Sequence, residues 1–204
     1  RGGRSLARGA VMSVTTETRG LEDAARLVEL FPEATRSAAT MAVNQVAKRD
    51  AIRLARESIY EQVSFPPGYL TKERLGVTKT ATTRDIEAVV TGRDRPTSLA
   101  RFVISGVYGR QGVTVKVGQQ ATSLRRAFLV RLRNGNAGLA LRLKEGEEVV
   151  GKHSEHKQWL VKGKVALLYG PSVDQVFRGV ASEITDHVGD ALVIEFNRQV
   201  ERLL

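Results

Sequence analysis

The C-terminal stretch constrains this chain more than any other part. Apolar residues recur at Val173, Phe177, Val180, Ile184, Val188, Leu192, Phe196, Val200 and Leu203, always three or four positions apart. That spacing lays one apolar stripe along an α-helix. Gly170-Pro171 breaks whatever precedes it. Ser172 then suits the N-cap, and Gln175 three residues later completes a capping-box pattern. Gly179 and Gly189 weaken the helix by about 1 kcal/mol each relative to alanine. At 1.5 Å per residue such a helix is about 45 Å long. It is expected to outrun a small sheet and to press its far end against a neighbouring subunit.

The rest of the chain must supply a surface for that stripe. After Gly20, Leu21, Ala24, Ala25 and Val28 make a short helical pattern. Pro32 fits the first turn of a second helix, which runs to about Val63. Ile52, Ala55, Ile59 and Val63 form its apolar stripe, and Arg49, Arg53 and Arg56 share another face. Phe65-Pro66-Pro67-Gly68 stops it. Residues 69–81 read as a short helix or a loop.

Beyond that the period becomes two, as in strands. Asp85 to Thr91 is a candidate strand, followed by a turn-like stretch from Gly92 to Pro96. Phe102-Val103-Ile104 is a second candidate, and Val113, Val115 and Val117 mark a third. Phe128, Val130 and Leu132 alternate with Leu129, Arg131 and Arg133, and Leu139, Leu141 and Leu143 alternate with Ala140 and Arg142. Asn134-Gly135 between these runs is a strong hairpin signal. Residues 144–163 look like an exposed excursion, and Val165 to Tyr169 returns to a strand pattern. The expected fold class is α+β: N-terminal helices, a central antiparallel β-sheet with a hairpin, and a long C-terminal helix. Residues 1–19 read as a flexible basic arm with Met12 as a possible original start. Residues 20–204 read as one domain, helical over 20–64, mainly β over 82–169 and helical again over 172–204.

Composition narrows the function. Aromatic residues make up 5% of the chain, so the core rests on Val, Leu, Ile and Ala. The absence of cysteine excludes disulfides, thiolate metal sites and cysteine nucleophiles. No apolar run approaches the roughly 20 residues that span a bilayer. The net charge is +10, and residues 72–133 hold thirteen basic and four acidic residues. A concentrated positive region attracts a polyanion or an acidic protein face.

Chemistry-bearing motifs are sparse. His153 and His156 lie three apart, a spacing that on a helix can aim two imidazoles at one metal, but no third ligand stands at motif spacing. His187 stands alone. Gly106 to Gly112 is glycine-rich but lacks the Lys-Ser/Thr of a phosphate-binding loop, and reads as a hairpin. No Gly-x-Ser-x-Gly elbow occurs and the carboxylates are scattered. The expectation is a non-enzymatic protein with no cofactor and no metal. What remains is arginine: Arg93, Arg95, Arg101 and Arg110, then Arg125, Arg126, Arg131 and Arg133. In an alternating strand Arg131 and Arg133 share a face opposite Val130 and Leu132. Such a face meets phosphates through charge without reading bases. An ordinary solvated basic face is built from the same residues. No aromatic set is interleaved for base stacking.

Several short motifs resemble the phage minor tail protein Z family. Gly20-Leu21-Glu22-Asp23-Ala24 is similar to the family's opening, and Ala38 to Ala47, with Ala42-Val43-Asn44-Gln45-Val46-Ala47, is similar to its first long helix. Arg126-Ala127-Phe128-Leu129-Val130 resembles a family strand, with arginine where glycine is common, and Leu168-Tyr169-Gly170-Pro171-Ser172-Val173 resembles the junction before the terminal helix. The resemblance covers roughly residues 20 to 204. It implies a virion protein of the tail or neck, assembled in the host cytoplasm, that completes the tail at its head-proximal end. The implied partners are further copies of the chain in a ring, hexameric by analogy with tail symmetry, and a tail terminator, tail tube or head–tail connector. Double-stranded DNA would be met without sequence specificity by the eight arginines above, and no membrane is implied. The family has no catalytic residues to carry over. The alternative is a free, non-specific nucleic-acid-binding module.

Overall fold

The computed structural model describes residues 29–145, 160–161 and 165–203. The chain divides into two units. The first comprises the segment through Ile59, Leu70–Asp94 and the segment from Val173 onward; the second comprises Tyr60–Tyr69 and Arg95–Ser172. The arm at 1–19, the short helix expected over 20–28, His153 and His156, and most of the 144–163 excursion lie outside the described residues.

Small residues set the geometry of the first unit. Helix α1 (Pro32–Val46) passes through a π-helical turn (Ala47–Ala51) into α2 (Ile52–Gln62). One buried line on this rod runs through Ala38, Ala42, Val46, Ala51, Ala55 and Ile59, spaced four, four, five, four and four, with Ala47 and Ile52 buried beside it. A regular α-helix would swing the stripe aside at the step of five. The π turn, whose hydrogen bonds reach five residues, absorbs the extra residue and keeps both halves facing inward. Helix α3 (Val173–Leu203) packs along α1. Arg202 Nη2 lies 3.5 Å from Met41 Sδ, and the charge of Arg49 is felt at Glu195. The two helices therefore run in opposite directions. The far end of α3 thus lies against the chain's own first helix, with Leu203 at the tip still exposed.

The stripe on α3 also turns out differently in its second half. Val173, Phe177, Val180, Ile184 and Val188 are buried as their spacing predicts. Further on, Glu195 and Gln199 take the buried positions, while Phe196 and Val200 are only half-buried and Leu203 is exposed. Glu195 accepts two hydrogen bonds from the Arg198 guanidinium, at 3.0 and 2.6 Å, and one from Gln199 Nε2 at 2.6 Å. The Arg198 bonds above all hold its carboxyl below the ordinary value, against the opposing effect of burial.

The remaining elements of the first unit are strands β1 (Leu75–Lys79) and β2 (Val89–Gly92), an antiparallel pair. Residues 69–81 thus contain a strand rather than a helix, and the strand expected over 85–91 begins only at Val89. Lys79 is held by Asp85, at 2.7 Å, and by Glu87. Asn44 on α1 bonds both backbone groups of Ala81, donating to its oxygen at 2.9 Å and accepting from its nitrogen at 2.8 Å. Those bonds mimic a strand partner and tie the connection to the helix.

The second unit is built on a six-stranded antiparallel sheet, β4-β5-β6-β7-β9-β8 in spatial order. Its strands are β4 (Val103–Ser105), β5 (Gln111–Lys116), β6 (Ala121–Arg131), β7 (Ala137–Arg142), β8 (Leu160–Val161) and β9 (Val165–Leu167). A separate two-stranded sheet, β3 (Thr97–Ser98) with β10 (Tyr169–Gly170), belongs to the same unit. Val113 and Val115 are buried as predicted. On β6 and β7 the alternation is reversed or absent: Ala127 and Leu129 are buried rather than Phe128 and Val130, and both Leu139 and Ala140 are fully buried. Strand β7 lies between β6 and β9 and is covered on both faces, so its pattern is not a simple alternation. Phe65 and Tyr69 stack at 5.0 Å, Phe102 lies 5.4 Å from Phe65, and the Tyr69 hydroxyl meets Thr97 Oγ1 at 3.0 Å in the buried interior.

Two outcomes follow from the packing of the first unit. A Cβ on Gly92 would lie 2.6 Å from Asp174 Cα and 2.7 Å from its nitrogen, where backbone cannot yield cheaply. Gly92→Ala is expected to destabilise by about 2–3 kcal/mol, the upper part of the range for overpacking. Gly118→Ala, whose Cβ would meet only Gln62 O at 3.6 Å, is expected to stay within about 0.5 kcal/mol. Denaturant melts of the two variants check this. Because folding lowers the Glu195 pKa, its contribution is present above the ordinary carboxylate value of 4.5 and lost as pH falls through the folded value. Glu195→Gln is expected to cost about 1.5–3 kcal/mol at neutral pH, as for a hydrogen bond to a charged group. The gap to the parent should close on acidification, read from melts across the pH range.

Candidate basic cleft on the sheet

Charge is divided unevenly between the units. Among the described residues the first unit has thirteen basic and fourteen acidic residues. Many of these are paired: Arg49 with Asp50, Arg53 with Glu57, Lys79 with Asp85 and Glu87, Arg178 with Asp174, Arg198 with Glu195. The second unit has ten basic residues against two acidic ones, Glu61 and Glu145. The surplus therefore belongs to the sheet.

The ladder explains where an opening forms in that sheet. Gln111 pairs with Phe128 and Val113 with Leu124, so two steps along β5 match four along β6. Strand β6 bulges over Arg125 to Ala127 to absorb the difference. Strand β5 begins opposite Phe128, so Leu129 to Arg131 have no continuous partner on that side. A single bridge from Tyr108 to Leu129 takes its place, with the Gly109 N–H donating to Leu129 O at 3.1 Å. Gly109 has φ +74°, a conformation that side chains resist. The result is an open cleft of about 830 Å³ lined by Tyr108, Gly109, Gln111, Phe128, Leu129, Val130, Arg131 and Arg142.

The cleft mixes cations with apolar surface. Arg142 lies 5.8 Å over the Phe128 ring, close enough for a cation–π contact. Phe128 pairs with Ala140, so Arg142 is its diagonal cross-strand neighbour. Close by in the chain, Ile104, Val107 and Tyr108 are 57–60% exposed. Guanidinium, phenol, amide and apolar groups together suit binding to an anionic surface with apolar content.

The eight arginines expected at a polyanion surface do not form one patch. Arg131 is exposed and lines the cleft. Arg125 and Arg126 belong to the β6 bulge, Arg125 exposed and Arg126 half-buried. Arg110 is exposed at the β4–β5 turn. Arg133 does not follow Arg131 along a strand: β6 ends at Arg131, and Arg133 is in the turn, where the Gly135 N–H bonds Leu132 O at 2.8 Å. Gly135, with φ +79°, makes this a longer hairpin loop than a two-residue turn. Arg101 lies 5.3 Å over the Tyr69 ring, and Arg95 is exposed before Pro96. Arg93 belongs to the first unit, half-buried, its backbone bonded to Arg74 and Asp174. Sequence reasoning missed Arg142, Tyr108, Gln111 and Phe128. The β6–β7 hairpin was the available signal, since its register sets Arg142 diagonal to Phe128.

A second, smaller cleft of about 210 Å³ lies in the first unit, lined mainly by apolar residues such as Val43, Val46 and Ile86, with Glu87 its one charged group. Among the described residues no three His, Cys, Asp or Glu side chains gather as a metal site, and no helix is long and apolar enough to cross a membrane. Comparison with known proteins finds no matching family model, no matching curated protein and no matching solved structure.

Proposed function

We propose that this chain is a structural, non-enzymatic protein that completes the tail of a tailed phage or prophage at its head-proximal end. It acts as a ring, hexameric by analogy with tail symmetry, that docks on a tail terminator, tail tube or head–tail connector. The resemblance of its helix, strand and junction motifs to the minor tail protein Z family motivates the reading. The observation that carries it is the segregation of charge: a sheet unit with ten basic and two acidic described residues, opening into a cleft that is part guanidinium and part apolar. Surfaces of that make-up bind macromolecules, with charge steering the encounter and apolar contact holding it. The arginines outside the cleft, Arg95, Arg101, Arg125 and Arg133 among them, are available to face DNA in a lumen.

The same surplus favours a second reading, a free module that binds nucleic acid without sequence preference. The two readings diverge in solution. A ring component is expected to show a several-fold oligomer by light scattering and closed particles by negative-stain microscopy. A free module that neutralises 6–10 phosphates would instead stay monomeric and lose about 10³–10⁵ in duplex affinity between roughly 50 and 200 mM salt. A monomer with that salt response, measured by fluorescence anisotropy, would replace the first reading by the second.

A further inference from the structure

The solvent face of α3 carries a feature that its core stripe does not require. Glu183, Asp186, Asp190, Ile194 and Glu201 are all exposed, and their spacings of three, four, four and seven set them on one side of the helix. Arg178 and Arg202 lie on other faces by the same geometry, and Arg198, which borders the band four residues after Ile194, is paired with Glu195. Ile194, in the midst of these carboxylates, is 70% exposed. From Glu183 to Glu201 the stripe extends about 27 Å at 1.5 Å per residue. The first unit thus presents an acidic band with an apolar centre. The second presents a basic cleft with apolar walls.

We propose that the cleft beside β6 in one copy receives the acidic face of α3 from a second copy. Arg131 and Arg142 face Asp186 and Asp190 of the other copy, and Ile194 enters the apolar surface made by Tyr108 and its neighbours. This inference rests on the reading that the chain works by self-assembly, and it names the surfaces. A second copy fits better than DNA here. A phosphate backbone satisfies guanidinium groups but makes no use of exposed Val107, Tyr108 or Ile194, whereas a helix with both acids and an isoleucine uses all of them. The two surfaces are different parts of the chain, so the contact is head-to-tail and a pair of copies keeps one free helix face on one copy and one free cleft on the other. Such a contact builds rings or filaments.

A charge swap tests the pairing. Asp186→Arg with Asp190→Arg makes the helix face basic; Arg131→Glu with Arg142→Glu makes the cleft acidic. Each double variant alone is expected to lose about tenfold or more in apparent association constant by sedimentation velocity, as for charge reversal at a complementary contact. An equimolar mixture of the two is expected to assemble again, since the basic helix of one meets the acidic cleft of the other and the unaltered surfaces also match. Ile194→Ser is expected to weaken assembly without changing its salt dependence. All these residues are exposed, and unchanged circular dichroism melts confirm folding. If the parent assembles and neither double variant weakens it, or the mixture fails to recover, the pairing is wrong and the ring reading stands. If Arg131→Glu with Arg142→Glu abolishes duplex binding but not assembly, the cleft belongs to DNA and the pairing is overturned. A parent that stays monomeric at every concentration removes both the pairing and the ring.

Discussion

The close approach of α1 to α3 sets the geometry of the first unit. Ala38 and Ala42 have no exposed surface, and alanine leaves room for the side chains on the facing C-terminal end of α3. An alanine seam contributes little transfer free energy per residue, so its value lies in allowing backbones to come close. The buried line continues through Ala51 and Ala55 on a rod whose spacing slips by one residue after Val46. The π turn converts a sequence irregularity into a continuous packing face.

Burial of Glu195 and Gln199 follows from the same packing. A carboxylate in the interior is costly unless donors reach it, and here Arg198 and Gln199 are one helical turn away on the same element. Arg198 keeps its own side chain in solvent, so only one partner of the pair is fully desolvated. The arrangement tolerates the charge without a second buried ion.

Much of this fold is legible in the chain. The long helix from Pro32, its stop at Phe65-Pro66-Pro67-Gly68, the hairpin at Asn134-Gly135 and the terminal helix after Pro171 all carry local chemistry that needs no tertiary context. Where tertiary context decided, the pattern misled. Phe128 and Val130 look like the buried set of β6, but Ala127 and Leu129 are buried, while Phe128 and Val130 line the open cleft. Phe196 and Val200 continue a helical stripe, yet Glu195 and Gln199 occupy the seam, since donors a turn away make a polar residue acceptable there. The arginine-rich middle third was visible as composition. Its division into a half-buried Arg93 in one unit, a bulge at Arg125 and Arg126, and a cleft flanked by Arg131 and Arg142 was not, because register and bulge position arise only from pairing.

The separation of charge has a physical consequence of its own. Ten cations on a small sheet unit repel one another, and only Glu61 and Glu145 offset them among the described residues. Such a surface gains most from meeting negative charge outside its own unit, where attraction replaces self-repulsion and is strengthened as water leaves. The α3 band offers carboxylates in a fixed, rigid row with an isoleucine among them, whereas a free polyanion offers charge alone. Ion pairs exposed to solvent contribute little, so charge by itself gives a weak and salt-sensitive contact. The apolar groups at Tyr108 and Ile194 change that balance, since their burial is non-directional and survives salt. A pairing that uses both has steering from the charges and persistence from the apolar contact, which a repeated head-to-tail assembly requires at every joint.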